Sequence, residues 1–211
     1  MTGSRNLRSG VFALVGNIAL PASTLITAPI LARGLGLDNR GEVAAVIATY
    51  SLVVMLATVG MPDALTFYVA KRLVRYRALG GWSAVLTVIG AVAGVVAVQL
   101  SAPLLSGGSL EVEQLLRASS WVLLPGAIVA LGRGVAAGQS RWGLVALERC
   151  LTGAVRIVGT TALLLTGAMT TASASWVLIL SMIGGGLAYF SLRPRAVLAD
   201  EGTNFGDFLR Y

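Results

Sequence analysis

Arg149 and Arg156 stand seven positions apart in "ERCLTGAVRI", about two helical turns, so both guanidinium groups fall on nearly one helix face. A guanidinium stays protonated and presents a planar fork of donors, which suits it to grip an oxyanion through paired, charge-assisted hydrogen bonds. Arg156 lies inside an apolar stretch, where an ionised side chain ordinarily marks function. Two roles fit it: lining a water-accessible cavity, or snorkelling to the headgroups or pairing with a neighbouring helix. Arg133 and Arg33 are further binding candidates, but they sit nearer helix ends, where headgroup anchoring competes. Glu148 beside Arg149 reads as an interfacial ion pair. Asn17 precedes Pro21 by four residues, so its carbonyl loses the amide that would normally reach it, and a kink is expected. Ser23, Thr24 and Thr27 decorate the following turn; hydroxyls bonded to their own backbone would make this a packing kink, hydroxyls facing a cavity a polar one. Pro125, followed by Gly126, permits a second bend on the same logic.

The missing residue types are as informative. There is no histidine, and the lone Cys150 allows neither an intramolecular disulfide nor a cysteine-based metal site. Asp38 with Glu42, and Glu111 with Glu113, are too sparse for the clustered carboxylates of an enzyme acting on lipid-linked sugars. No cofactor, no metal and no catalytic residue is expected. The net charge of +7 would suit nucleic acid, but the basic residues sit at helix ends and short loops and read as determinants of membrane topology.

The elements that must carry these residues are membrane spans. The chain is 56% hydrophobic and 12% charged with a mean hydropathy of +0.82, and Ser9–Ala32, Val43–Pro62 and Ala78–Leu110 hold no charge at all. Uncharged runs of about 18 residues or more predict transmembrane helices. Spans are expected near 10–32, 43–62, 82–104, 115–137, 144–166 and 173–192, giving an all-α integral membrane protein. Residues 193–211 are expected as a cytoplasmic segment. Basic residues fall on one set of connections, at Arg5 and Arg8, Lys71 to Arg77, Arg141, and Arg193 and Arg195; the alternate connections are neutral or acidic. That bias predicts both termini in the cytoplasm. "RGLGLDNRGE", from Arg33 to Glu42, is then an external hairpin whose glycines end one helix and turn the chain.

The wording of that hairpin carries a resemblance. Pro29, Leu31, Ala32, Arg33, Leu35, Gly36 and Gly41, then Gly60, Ala64, Leu65, Tyr68, Val69 and Ala70, resemble the opening of bacterial oligosaccharide flippases. These are the O-antigen and exopolysaccharide translocases of the multidrug/oligosaccharidyl-lipid/polysaccharide exporter superfamily. "GVAAGQSRW", Gly134 to Trp142, is similar to the turn after that family's fourth span. The likeness extends over essentially the whole chain, but diffusely. Family members have roughly twice as many spans in two lobes, so the resemblance implies that this chain is an amino-terminal lobe, with "NFGDFLRY" approaching a seventh span. It implies export of an undecaprenyl-diphosphate-linked oligosaccharide, with a carboxy-terminal lobe or partner chain and membrane lipids as partners and no nucleic acid. Alternatives are a drug/cation antiporter of the same superfamily, which would want acidic residues inside its spans, and a non-catalytic scaffold of a polysaccharide assembly complex.

Overall fold

The computed structural model describes residues 3–58, 60–71 and 76–191, and these contain helices and turns but no strand. Helix α1, Gly3–Thr58, is two arms joined at Gly36, whose φ of 75° and ψ of −174° are open to glycine at little cost. The first arm is apolar over Gly10–Gly36 and the second over Asn39–Thr58. Pro21 and Pro29 lie within helical backbone, and Gly36 is the one residue of α1 with non-helical angles. Gly60, at φ 69°, separates the second arm from α2, Met61–Lys71. There follow α3 (Tyr76–Leu105), α4 (Leu110–Ser120), α5 (Leu123–Gly138), α6 (Trp142–Leu165) and α7 (Thr171–Gly185), which a 3-10 turn extends over Gly186–Ser191.

The expected fourth span, 115–137, is bent: α4 and α5 meet at 50° across Trp121 and Val122. Pro125 in the first turn of α5 has no amide to offer the Trp121 carbonyl. The Val122 carbonyl accepts both the Gly126 amide at 3.1 Å and the Tyr50 hydroxyl at 3.2 Å, which fixes the bend against the second arm of α1.

Glycine contacts give the relative direction of the helices. Gly16 faces Ala146, Gly153 faces Ser23, and Gly34 faces Leu164, so the first arm and α6 run parallel. Gly94 faces Val53 while Gly90 faces Ala57, so α3 runs against the second arm. By the same reading α2 is parallel to α5, through Gly134 at Pro62 and Gly138 at Val69. Helix α7 opposes α6, through Gly159 at Val177 and Gly185 at Thr152. Close approach of small residues is how helices pack where lipid removes the hydrophobic drive between them.

Glu42 ties one end together. Its two carboxylate oxygens accept from the Ser109 hydroxyl and the Thr171 hydroxyl, each at 3.3 Å. The connections around Gly36, between α3 and α4, and between α6 and α7 therefore lie at the same end, the alternation that the loop charges predict. The core beside it joins Val46, Tyr50, Val95, Val98, Leu116, Leu123 and Ile179 from five helical segments.

Among the described residues four helices are long and apolar enough to cross a membrane, and the bent α4–α5 pair makes five, against six expected. Helix α6, at 24 residues, has the length, but every 18-residue stretch of it contains Glu148, Arg149 and Arg156. Leu25, Met55, Leu100 and Leu104 are each more than three-quarters exposed, an outer surface suited to lipid. The chain is an all-helical, multi-pass membrane protein. The expected segment 193–211 and the basic residues Arg72 and Arg75 lie outside the described residues.

Candidate functional site

The charges that set α6 apart go to two different neighbours. Successive residues on a helix point about 100° apart, so Glu148 and Arg149 cannot face the same partner. Glu148 turns to α5 and the 3-10 turn, where its Oε1 accepts from Arg133 Nη2 at 2.8 Å and its Oε2 from Arg133 Nε at 3.2 Å. Tyr189 adds a third donor, its hydroxyl 3.3 Å from Oε2. This fork-on-carboxylate pair is buried at Glu148, which is 1% exposed. It replaces the expected Glu148–Arg149 pair, and it commits Arg133 to a carboxylate.

Arg149 turns instead to the first arm of α1. Its Nη1 donates to Asn17 Oδ1 at 2.5 Å and to the Gly16 carbonyl at 3.4 Å. Two turns further along α6, Arg156 Nη1 donates to Thr24 Oγ1 at 3.1 Å. Thr24 in turn donates to the Leu20 carbonyl, also at 3.1 Å, as Ser23 does at 2.7 Å. The hydroxyls after Pro21 are thus bonded to their own backbone, and Thr24 serves Arg156 as an acceptor at the same time.

The two arginines share an electrostatic condition that Arg133 lacks. Among the described residues the ion pairs are Arg117–Glu113 and Arg133–Glu148, so Arg149 and Arg156 are held by neutral oxygens alone. The Nε of each is buried without a hydrogen-bond partner. Arg156 is 8% exposed, so an uncancelled positive charge with spare donors is enclosed between α6 and the first arm. Desolvating a cation costs several kcal/mol unless something anionic compensates it, so the arrangement favours an anionic ligand.

Of the six residues singled out by sequence, Asn17 and Arg156 belong to this interface and Arg133 to the adjacent ion pair. Pro21 lies on the same arm between Asn17 and Thr24. Arg33 is exposed nine residues beyond Thr24, about 13 Å along the arm and close to the Gly36 turn. Pro125 belongs to the bend between α4 and α5. Sequence reasoning missed Tyr189 and the partnership of Arg133 with Glu148. A signal was present: the two lie at similar distances on either side of the Gln139–Arg141 turn, as cross-hairpin partners must.

A family model described as polysaccharide biosynthesis protein matches residues 7–211. The chain belongs to the polysaccharide biosynthesis protein family. No curated protein and no solved structure matches it.

Proposed function

We propose that the chain takes part in flipping an undecaprenyl-diphosphate-linked oligosaccharide across the bacterial inner membrane, as a transporter and not an enzyme. In this reading α6 is the remaining crossing, both termini are cytoplasmic, and the six spans form an amino-terminal lobe that acts with a carboxy-terminal lobe or partner chain. The observation that carries the reading is Arg156: almost fully buried, without a carboxylate, and holding an unpartnered Nε. A diphosphate is a ligand whose charge and oxygens match that requirement. Asn17 and Thr24 would orient the guanidinium groups, and Arg133, already neutralised by Glu148, is the weakest of the sequence candidates for substrate.

The antiporter alternative wants an uncommitted acid inside a span, and Glu148 accepts three hydrogen bonds. The test is complementation of a flippase-deficient strain, in the full transporter, scored by surface polysaccharide. Arg156→Ala should abolish export at unchanged membrane abundance, and Arg156→Lys should restore part of it, since charge returns without the paired fork. Full export by the alanine variant would return Arg156 to a packing role and remove the main support for diphosphate binding.

A further inference from the structure

Glu42 stands where three separate connections converge, and nothing in anion transport requires a carboxylate there. Both groups that donate to it open a helix. Ser109 is the N-cap of α4, its Oγ accepting the Val112 amide at 3.4 Å, and it also donates to Glu42. Thr171 is the first residue of α7, directly after the N-cap Thr170 of the Thr170–Ser173 capping box. A single negative charge therefore sits between two helix N-termini, each of which carries a partial positive charge. Its own backbone belongs to the second arm of α1, just past the Gly36 turn. Beneath it Leu31, Leu35 and Val43 of α1 pack on Ala174 and Leu178 of α7, and Val46 packs with Val112 and Leu116 of α4.

From this convergence we infer that Glu42 is a carboxylate clasp that locks the Gly36 hairpin, α4 and α7 into one cap, so that this end of the bundle moves as a unit. At 3.3 Å the two hydroxyl contacts are long for O–H···O bonds, and the charge facing two dipoles does most of the holding. The device is conformational. A bundle whose connections are tied at one end transmits a tilt of any one helix to the others, whereas untied connections let each helix end fray separately.

Hydrogen exchange on the full 211-residue chain in lipid nanodiscs tests the clasp without measuring transport. The amides to follow are Val112 and Glu113 in α4 and Ser173 and Ala174 in α7, each bonded to its cap residue. Glu42→Ala and Glu42→Gln should both speed their exchange by about two- to fivefold at each helix, the factor that loss of one charge–dipole contact implies. Amides in the middle of α6 should not change. The glutamine variant keeps size and hydrogen-bonding capacity, so it reads the charge even where the alanine variant folds poorly. Unchanged exchange at both helices in Glu42→Gln, or acceleration at one alone, would overturn the clasp.

Discussion

At the scale of the residue, the two members of the Arg133–Glu148 pair are not equivalent. The Glu148 side chain is 2% exposed and the Arg133 side chain 37%, so removing either leaves a different orphan. Arg133→Ala strands a carboxylate with no route to water, a loss of about 3–5 kcal/mol for a buried pair. Glu148→Ala leaves a guanidinium already part-way to solvent, and the cost should be smaller. Thermal denaturation in detergent should rank wild type above Glu148→Ala and Glu148→Ala above Arg133→Ala, with Arg133→Gln/Glu148→Gln recovering much of the loss. The reverse ranking would show that Glu148 reaches water by another path. Sequence made the four charged residues visible, and the shared face of Arg149 and Arg156 follows from a spacing of seven. It did not reveal which arginine the carboxylate would choose, because that depends on helix rotation about the α5–α6 turn.

At the scale of the element, glycine divides into turn-formers and packers, and sequence shows only that glycine is present. Of the three glycines clustered in "RGLGLDNRGE", Gly36 alone has a positive φ; Gly34 packs on Leu164 and Met169, and Gly41 faces open space. In the uncharged run Gly90–Ala97 small residues recur four apart, the spacing of a close-packing ridge. The structure sets Gly90 against the Ala57 carbonyl of the second arm, where a Cβ would collide with backbone. Gly90→Val should therefore cost about 1–3 kcal/mol by forcing α3 and the second arm apart. Gly41→Ala, with no neighbour to meet, should be nearly silent. The 50° bend in the α4–α5 span was half legible: Pro125 flags it, but the Tyr50 hydroxyl that braces it comes from 72 residues away.

At the scale of the whole molecule, alternation was the most legible feature, because the positive-inside bias is written across every connection. The carboxylate of Glu42 joins the three neutral or acidic connections at one end, in agreement with it. Sidedness is checked by labelling single cysteines in a Cys150→Ser background with a membrane-impermeant thiol reagent. Asn39→Cys and Ala168→Cys should react in intact cells, and Ser140→Cys only after lysis. Labelling at position 140 in intact cells would invert the topology. Sequence placed a span near 144–166, where α6 runs, but could not show that this helix lies parallel to the first arm and packs against it, because that depends on tertiary contacts.

That pairing has a consequence for how the protein is made. Asn17 and Arg149 are 132 residues apart, so the first arm leaves the ribosome long before its partner exists. At about 5–20 residues per second the wait is on the order of ten seconds. For that time a newly inserted helix carries Asn17 and the polar turn after Pro21 with nothing to cover them. Nascent chains arrested before α6 should be held at the insertion machinery or cleared by membrane proteases, while chains arrested after Leu165 should survive. The survival of the nascent chain should thus be set by α6, on which the first arm must wait.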